Sequence, residues 1–245
     1  MPKSRPARNE ISEISINPLE YRYLPTDKEL HAFLIENRER PHLEVFNGVC
    51  RKFIHPRLCS LEQRLRQIAE ENKNKKISRR VDGKVIGEIP VEEVFLGYAS
   101  RLGQRIAQIE LRSPIEQSLP EPVLWDRISD LSYYVTAALG VEANIANDVR
   151  HQWRSEIDEY GPLDWGSRVG SSTMPHKVNP ADYEQIVSFW KVFAPRFTTA
   201  LLTHVTEHQG DSTNQGSLKY YSELLIQTCI STRNLEKALS NLEIR

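Results

Sequence analysis

The pattern that most limits how this chain can fold runs from Trp125 to Tyr160. Ile128, Leu131, Val135 and Leu139, then Val141 to Ile145, Val149, Trp153 and Ile157, recur at helical spacing with no proline between them. A stripe of that length predicts one long helix, and a long helix with so much apolar surface needs neighbours of similar length to cover it. The rest of the sequence offers them. Leu30, Phe33 and Leu34 follow Thr26-Asp27 at helical spacing, so a helix is expected over residues 26–38. The pattern is helical again from about Leu43 to Asn74, with Leu61, Leu65, Ile68 and Ala69 on one face. Pro90 opens a helix expected over residues 91–103, and residues 104–120 read as irregular. Two further helices are expected, from Asn179 to about His208, broken or kinked near Pro195, and from Ser217 to Leu242.

Strand-like alternation is almost absent. Val81 to Gly87, with two glycines, reads as a short loop or hairpin. The basic run from Lys73 to Arg80 reads as a solvated helix end or loop, with phosphate attraction the lesser alternative. Residues 1–25 are polar, carry four prolines (Pro2, Pro6, Pro18, Pro25) and are expected to form an extended N-terminal arm. The expected fold class is therefore all-α: an elongated long-helix bundle over residues 26–245. Residues 186–206 are apolar over a wide arc, including Phe189, Trp190, Phe193, Phe197, Leu201, Leu202 and Val205. Burial inside one bundle and burial between subunits explain that arc equally well.

Composition excludes several classes of function. At 245 residues the chain can bury a sizeable core, and its net charge of −1 argues against a nucleic-acid footprint. No apolar run approaches the roughly 20 residues that span a bilayer. The polar, basic stretch from Met1 to Glu10 is not followed by the apolar segment of a secretory signal. Cys50, Cys59 and Cys229 lack metal-ligand spacing and read as reduced thiols of a cytoplasmic protein, a Cys50–Cys59 disulfide being the lesser alternative. His204 and His208 share a helix face, but no third ligand lies nearby in sequence, so no metal site is expected.

The densest chemistry lies in Gly170-Ser171-Ser172-Thr173-Met174-Pro175-His176-Lys177-Val178-Asn179-Pro180. Two hydroxyls, an imidazole, an ammonium and an amide occur just before a strongly helical continuation. Asn179 reads as the N-cap, Pro180 as the first helical residue, and Asp182 places negative charge in the first turn. Polar groups leading into a helix N-terminus suit the holding of a small anion. Helix-leader capping is the plainer reading of Ser171, Ser172 and Asn179 taken alone.

This run resembles the Gly-Ser-Ser-x-Met-Pro-x-Lys-x-Asn-Pro signature of the fumarase/aspartase superfamily, and every fixed position is present. His176 in the variable slot is most like the adenylosuccinate lyase and carboxymuconate cycloisomerase branches. Further elements agree: Ser113 and Gln117 are similar to a Ser-x-x-x-Gln element, Lys76-Ile77-Ser78 with Gly83 and Gly87 to a Lys-Ile-Ser-Gly-x-x-Gly segment, and Asp211-Ser212-Thr213 to an Asp-Ser-Thr element. The resemblance covers about residues 45–242. It implies the family's central long-helix domain, assembled as a homotetramer whose active sites collect residues from three chains, and it implies no cofactor. The flanking N- and C-terminal domains of the family are expected to be absent. The family's Thr-His-x-Gln element survives in Arg40-Pro41-His42-Leu43-Glu44 only as its histidine.

The resemblance also implies a reaction, the β-elimination of a small anionic succinyl-type substrate, adenylosuccinate-like, with release of fumarate by a carbon–nitrogen lyase. Such chemistry needs an activated base, preorganised positive charge for a dianionic intermediate, and a loop that excludes water. Ser172 is expected to be the base, with Ser171 as the alternative, and His42 is the candidate acid by position. Lys177, Asn179, Met174, His176 and Gln117 are expected to bind substrate. The alternative is a catalytically impaired or partner-dependent relative that persists as an oligomeric scaffold.

Overall fold

A computed structural model of the protein describes residues 27–164, 179–206, 212–214 and 216–245. The expected all-α bundle is what is found. Its helices are α1 (Lys28–Glu36), α2 (His42–Val49), α3 (His55–Glu71), α4 (Val91–Arg112), α5 (Glu121–Gln152), α6 (Ala181–Phe193), α7 (Arg196–Leu202) and α8 (Ser217–Leu239). A single π turn, Cys50–Ile54, joins α2 to α3 without breaking the rod. Strands β1 (Lys76–Val81) and β2 (Lys84–Pro90) form an antiparallel hairpin, and β3 (Tyr160–Pro162) pairs antiparallel with β4 (Leu242–Ile244). The expected arm over residues 1–25 lies outside the described residues.

Each helix buries the stripe its sequence carries. On α3 this is Leu58, Leu61, Leu65 and Ile68; on α4 it is Val91, Phe95, Ala99, Leu102, Ile106 and Ile109. Because that stripe continues through Ile109, α4 runs nine residues beyond the expected end at 103, and residues 104–112 are helical, not irregular. Helix α5 is buried on several faces and lies against α4, α6 and α8. It stops at Gln152, short of Tyr160, where the chain turns through Asp158 (φ 52°) into β3. Pro195 separates α6 from α7, as a residue without an N–H should.

The start of α1 shows how local and tertiary requirements combine. Asp27 Oδ1 accepts a hydrogen bond from Leu30 N at 3.2 Å, the N-cap arrangement. The same carboxylate takes both Arg57 guanidinium nitrogens of α3, the shorter at 2.5 Å, and Arg233 of α8 lies 3.5 Å away. Burial pushes this carboxyl up, but the Arg57 hydrogen bonds and charge outweigh it and hold Asp27 below its ordinary value.

The hairpin replaces the expected loop or helix end over Lys76–Arg80. Asp82 (φ 49°) and Gly83 (φ 78°) supply the two left-handed residues of a tight two-residue turn. Glu159 ties the hairpin to the bundle, accepting from Ser78 N and Arg80 Nη1, each at 2.9 Å. Arg80 also donates to Gln152 at the end of α5.

All three cysteines are free thiols. No helix among the described residues is long and apolar enough to cross a membrane. The wide apolar arc of residues 186–206 divides: Ile186 and Phe189 are buried, whereas Val192, Leu201, Leu202 and Val205 are 50%, 44%, 67% and 76% exposed.

Candidate functional site

Of the signature loop, only its last two positions fall among the described residues. Ser171, Ser172, Met174, His176 and Lys177 lie outside them. Asn179 is exposed, and Pro180, half-buried, occupies the N-cap of α6. The helix thus begins one residue later than expected, at Ala181, and no side chain caps it. Pro180 O instead accepts from Glu184 N at 3.0 Å, and Asp182 and Glu184 place negative charge in the first turn.

The segment after α4 is held by a residue that the sequence alone did not single out. Asn47 of α2 donates from Nδ2 to Ile115 O and accepts at Oδ1 from Ile115 N, both at 2.8 Å. This two-point clamp fixes the turn carrying Ser113 and Gln117 against α2, and Ile115 is buried beneath it. Ser113 and Asn47 line a cavity of about 530 Å³ together with Arg40, Arg51, His55 and Glu110. Arg40 lies 3.7 Å from Glu44, and His55 lies 3.8 Å from Glu110. Gln117 is exposed and does not line this cavity. The π turn supplies Cys50 and Arg51 to the wall, a location where such turns are often found.

His42 sits at the start of α2 but points into the core. It is 2% exposed and packs edge-on against Phe46, which in turn packs edge-on against Tyr221 of α8. Neither ring nitrogen has a hydrogen-bond partner. Burial pushes the imidazole down to about 4, so the ring is neutral near pH 7 and has no proton to give as placed.

Another buried titratable group was not anticipated. Glu142 of α5 is fully buried against α8 and meets Ser231 Oγ at 2.6 Å and Thr232 Oγ1. Burial pushes its carboxyl up to about 7. Thr232 Oγ1 also lies 2.8 Å from Thr228 O. A hydroxyl has one proton, so when Thr232 donates to Thr228 the carboxyl must bring its own. A lone glutamate inside an apolar run was the signal available in the sequence.

Two of the expected site residues, Asn179 and His42, lie towards opposite ends of the bundle. At the α6 N-terminus, Tyr183 packs on Trp153 at the end of α5 and donates to Ala238 O near the end of α8. His42 sits at the level of Tyr221, seventeen residues back along the same helix, about 25 Å away at 1.5 Å per residue. Asn179 and His42 of one chain therefore cannot flank one small substrate.

Adenylosuccinate lyase of Methanothermobacter thermautotrophicus is 38% identical over 89 residues, which is 36% of this chain and 19% of that enzyme. N-acetyl-S-(2-succino)cysteine lyase of Dickeya dadantii is 34% identical over 90 residues, 36% of this chain and 19% of that enzyme. Adenylosuccinate lyase of Pyrococcus horikoshii is 27% identical over 158 residues, covering 60% of this chain and 34% of the enzyme. The chain thus spans about a fifth to a third of the curated relatives it matches. No family model matches it. In fold, it is similar to the 3-carboxy-cis,cis-muconate lactonizing enzyme of Pseudomonas putida, with a TM-score of 0.73 at 12% identity over 88% of this chain and 54% of that one.

Proposed function

We propose that this chain belongs to the fumarase/aspartase superfamily and contributes to a lyase site that eliminates a succinyl group as fumarate. The observation that carries this reading is the signature run from Gly170 to Pro180, complete at every fixed position. Two relatives support the substrate class, because adenylosuccinate and N-acetyl-S-(2-succino)cysteine share a succinyl group on a heteroatom. Ser172 takes the proton from the carbon next to a carboxylate, with Ser171 the alternative. The electron pair left behind forms the double bond of fumarate as the bond to the heteroatom breaks. Lys177 and Asn179 hold the carboxylate whose charge grows in that step, a preorganised arrangement of the kind that gives most electrostatic catalysis. The leaving heteroatom must collect a proton. His42 serves only once a substrate carboxylate or a neighbouring chain reaches its two unpartnered nitrogens and raises its affinity for a proton.

Assembly is part of the same reading. The 25 Å separation between the α6 N-terminus and His42, about seventeen helical residues at 1.5 Å each, suits a site shared between copies. The exposed Val192, Leu201, Leu202 and Val205 suit a subunit contact. Residues 26–245 then act as one helical-bundle domain of a homotetramer, with residues 1–25 as an arm. The second reading, a relative that scaffolds an oligomer without turnover or needs a partner to complete its site, is favoured by one observation: the neutral, buried state of His42.

The test is fumarate release, followed by ultraviolet absorbance, from adenylosuccinate and from succinylated cysteine. Turnover by the purified chain that disappears in Ser172→Ala supports the lyase. Full activity in Ser172→Ala removes that serine as the base, and no turnover of either substrate favours the scaffold.

A further inference from the structure

A second cavity, of about 490 Å³, lies at the end of the bundle away from His42. The β1–β2 hairpin forms one wall, and α4, the end of α5 and the turn after it form the others. Phe95, Tyr98 and Tyr160 provide an aromatic floor, flanked by Ile145 and Val149. Arg79 from the hairpin, and His151 and Arg154 from the end of α5 and the following turn, line the same cavity and are exposed. Arg80 is engaged by Glu159 and Gln152. Among the described residues, the side chains of Arg79, His151 and Arg154 make no ion pair or hydrogen bond. Two exposed guanidinium groups remote in sequence therefore line one cavity with their donors unused.

One carboxylate opposes them. Asp148 lines the cavity wall and already accepts from the Tyr98 hydroxyl and from Asn144 Nδ2. An anion placed on the floor would be repelled by Asp148, so negative charge belongs at the mouth and an uncharged body inside. A guanidinium fork matches phosphate oxygens two at a time, and a flat ring packs well on aromatic side chains. The volume falls within the range of about 300–1,000 Å³ usual for small-molecule sites.

We propose that this cavity binds a phosphate monoester of a flat ring, the phosphate held by Arg79 and Arg154 and the ring lying over Phe95, Tyr98 and Tyr160. The site is separate from the elimination chemistry and involves no covalent step.

Calorimetric titration of the full chain with phenyl phosphate, inorganic phosphate and benzyl alcohol tests it. Phenyl phosphate binds at millimolar concentration or below, and each of the other two binds at least about tenfold more weakly, since each retains only one half of the contact. Arg79→Ala and Arg154→Ala each weaken phenyl phosphate at least about tenfold, the loss of one charge-assisted hydrogen bond. Both variants keep the circular dichroism and melting temperature of the parent, because both side chains are exposed. Lys177→Ala leaves the affinity unchanged, which separates this cavity from an anion site on the signature loop. The proposal is overturned if phenyl phosphate does not bind, if inorganic phosphate binds equally well, if both arginine variants bind normally, or if Lys177→Ala abolishes binding.

Discussion

Replacing Glu142 with glutamine should expose one of two opposed pH dependences in the stability of this chain. Burial raises the Glu142 carboxyl from 4.5 to about 7, so the folded state holds its proton where the unfolded state has released it. The stability this contributes is complete below 4.5 and is lost as pH rises through about 7. His42 does the reverse. Burial lowers it from 6.5 to about 4, so its contribution is complete above 6.5 and is lost as pH falls through about 4. Each spans a little over two pH units at roughly 1.4 kcal/mol per unit, giving about 3 kcal/mol for each group. Between 4.5 and 6.5 the two slopes have opposite sign and nearly equal size, so they cancel in the native chain. Glutamine keeps the shape of the protonated acid and supplies a donor to Thr232 at every pH. In Glu142→Gln the His42 slope stands alone, and stability rises by about 3 kcal/mol from pH 4 to pH 6.5. In His42→Phe the Glu142 slope stands alone, and stability falls by a similar amount from pH 4.5 to pH 7. Urea unfolding of the three proteins at half-unit steps measures this directly. A Glu142→Gln profile parallel to that of the parent across this window would refute the argument.

Other expectations rest on single contacts. Asn47→Ala removes both hydrogen bonds to Ile115 and leaves its backbone groups short of partners, costing about 1–3 kcal/mol in urea unfolding; an unchanged midpoint would mean that the turn after α4 holds itself. Asp27→Ala removes a helix cap and strips Arg57 of its partner, and breaking such a buried pair should cost about 3–5 kcal/mol. A loss below about 1 kcal/mol would show that water takes over from the carboxylate. Leu202→Glu combined with Val205→Glu should lower the mass seen by sedimentation while leaving the helical signal intact, because both side chains are exposed in the single chain. An unchanged mass would place subunit contacts elsewhere.

Much of the fold was legible because helical periodicity survives in a single sequence. The Asp27 start, the Leu61–Ala69 stripe and the break at Pro195 were readable from residue type and spacing alone. The reading of α4 stopped too early because Arg105, Gln108 and Glu110 dilute the pattern, although Ile106 and Ile109 carry it on. Over Lys76–Arg80 it failed for a different reason. A strand rich in Lys and Arg is stabilised by its partner strand and by Glu159, and neither interaction is local. The same limit hid Asn47 and Glu142. Asn47 matters only because Ile115 lies opposite it, and Glu142 only because Ser231 and Thr232 of α8 face it. Motif reading names residue types along a loop; it does not tell which end of a bundle the loop leaves.

The π turn at Cys50–Ile54 carries one more implication. A wide turn holds an additional residue within a continuous rod, so it works as a phase adjuster between α2 and α3. Upstream of it, Asn47 aims at the backbone of Ile115; downstream, Ser60 donates to Glu236 on α8. A regular helix advances about 100° per residue, so rewinding this turn as regular α-helix with no residue removed would rotate α2 by roughly that angle relative to α3. Asn47 and Ser60 could not then both face their present partners. The wide winding of this short segment is thereby fixed as firmly as the identity of any residue within it.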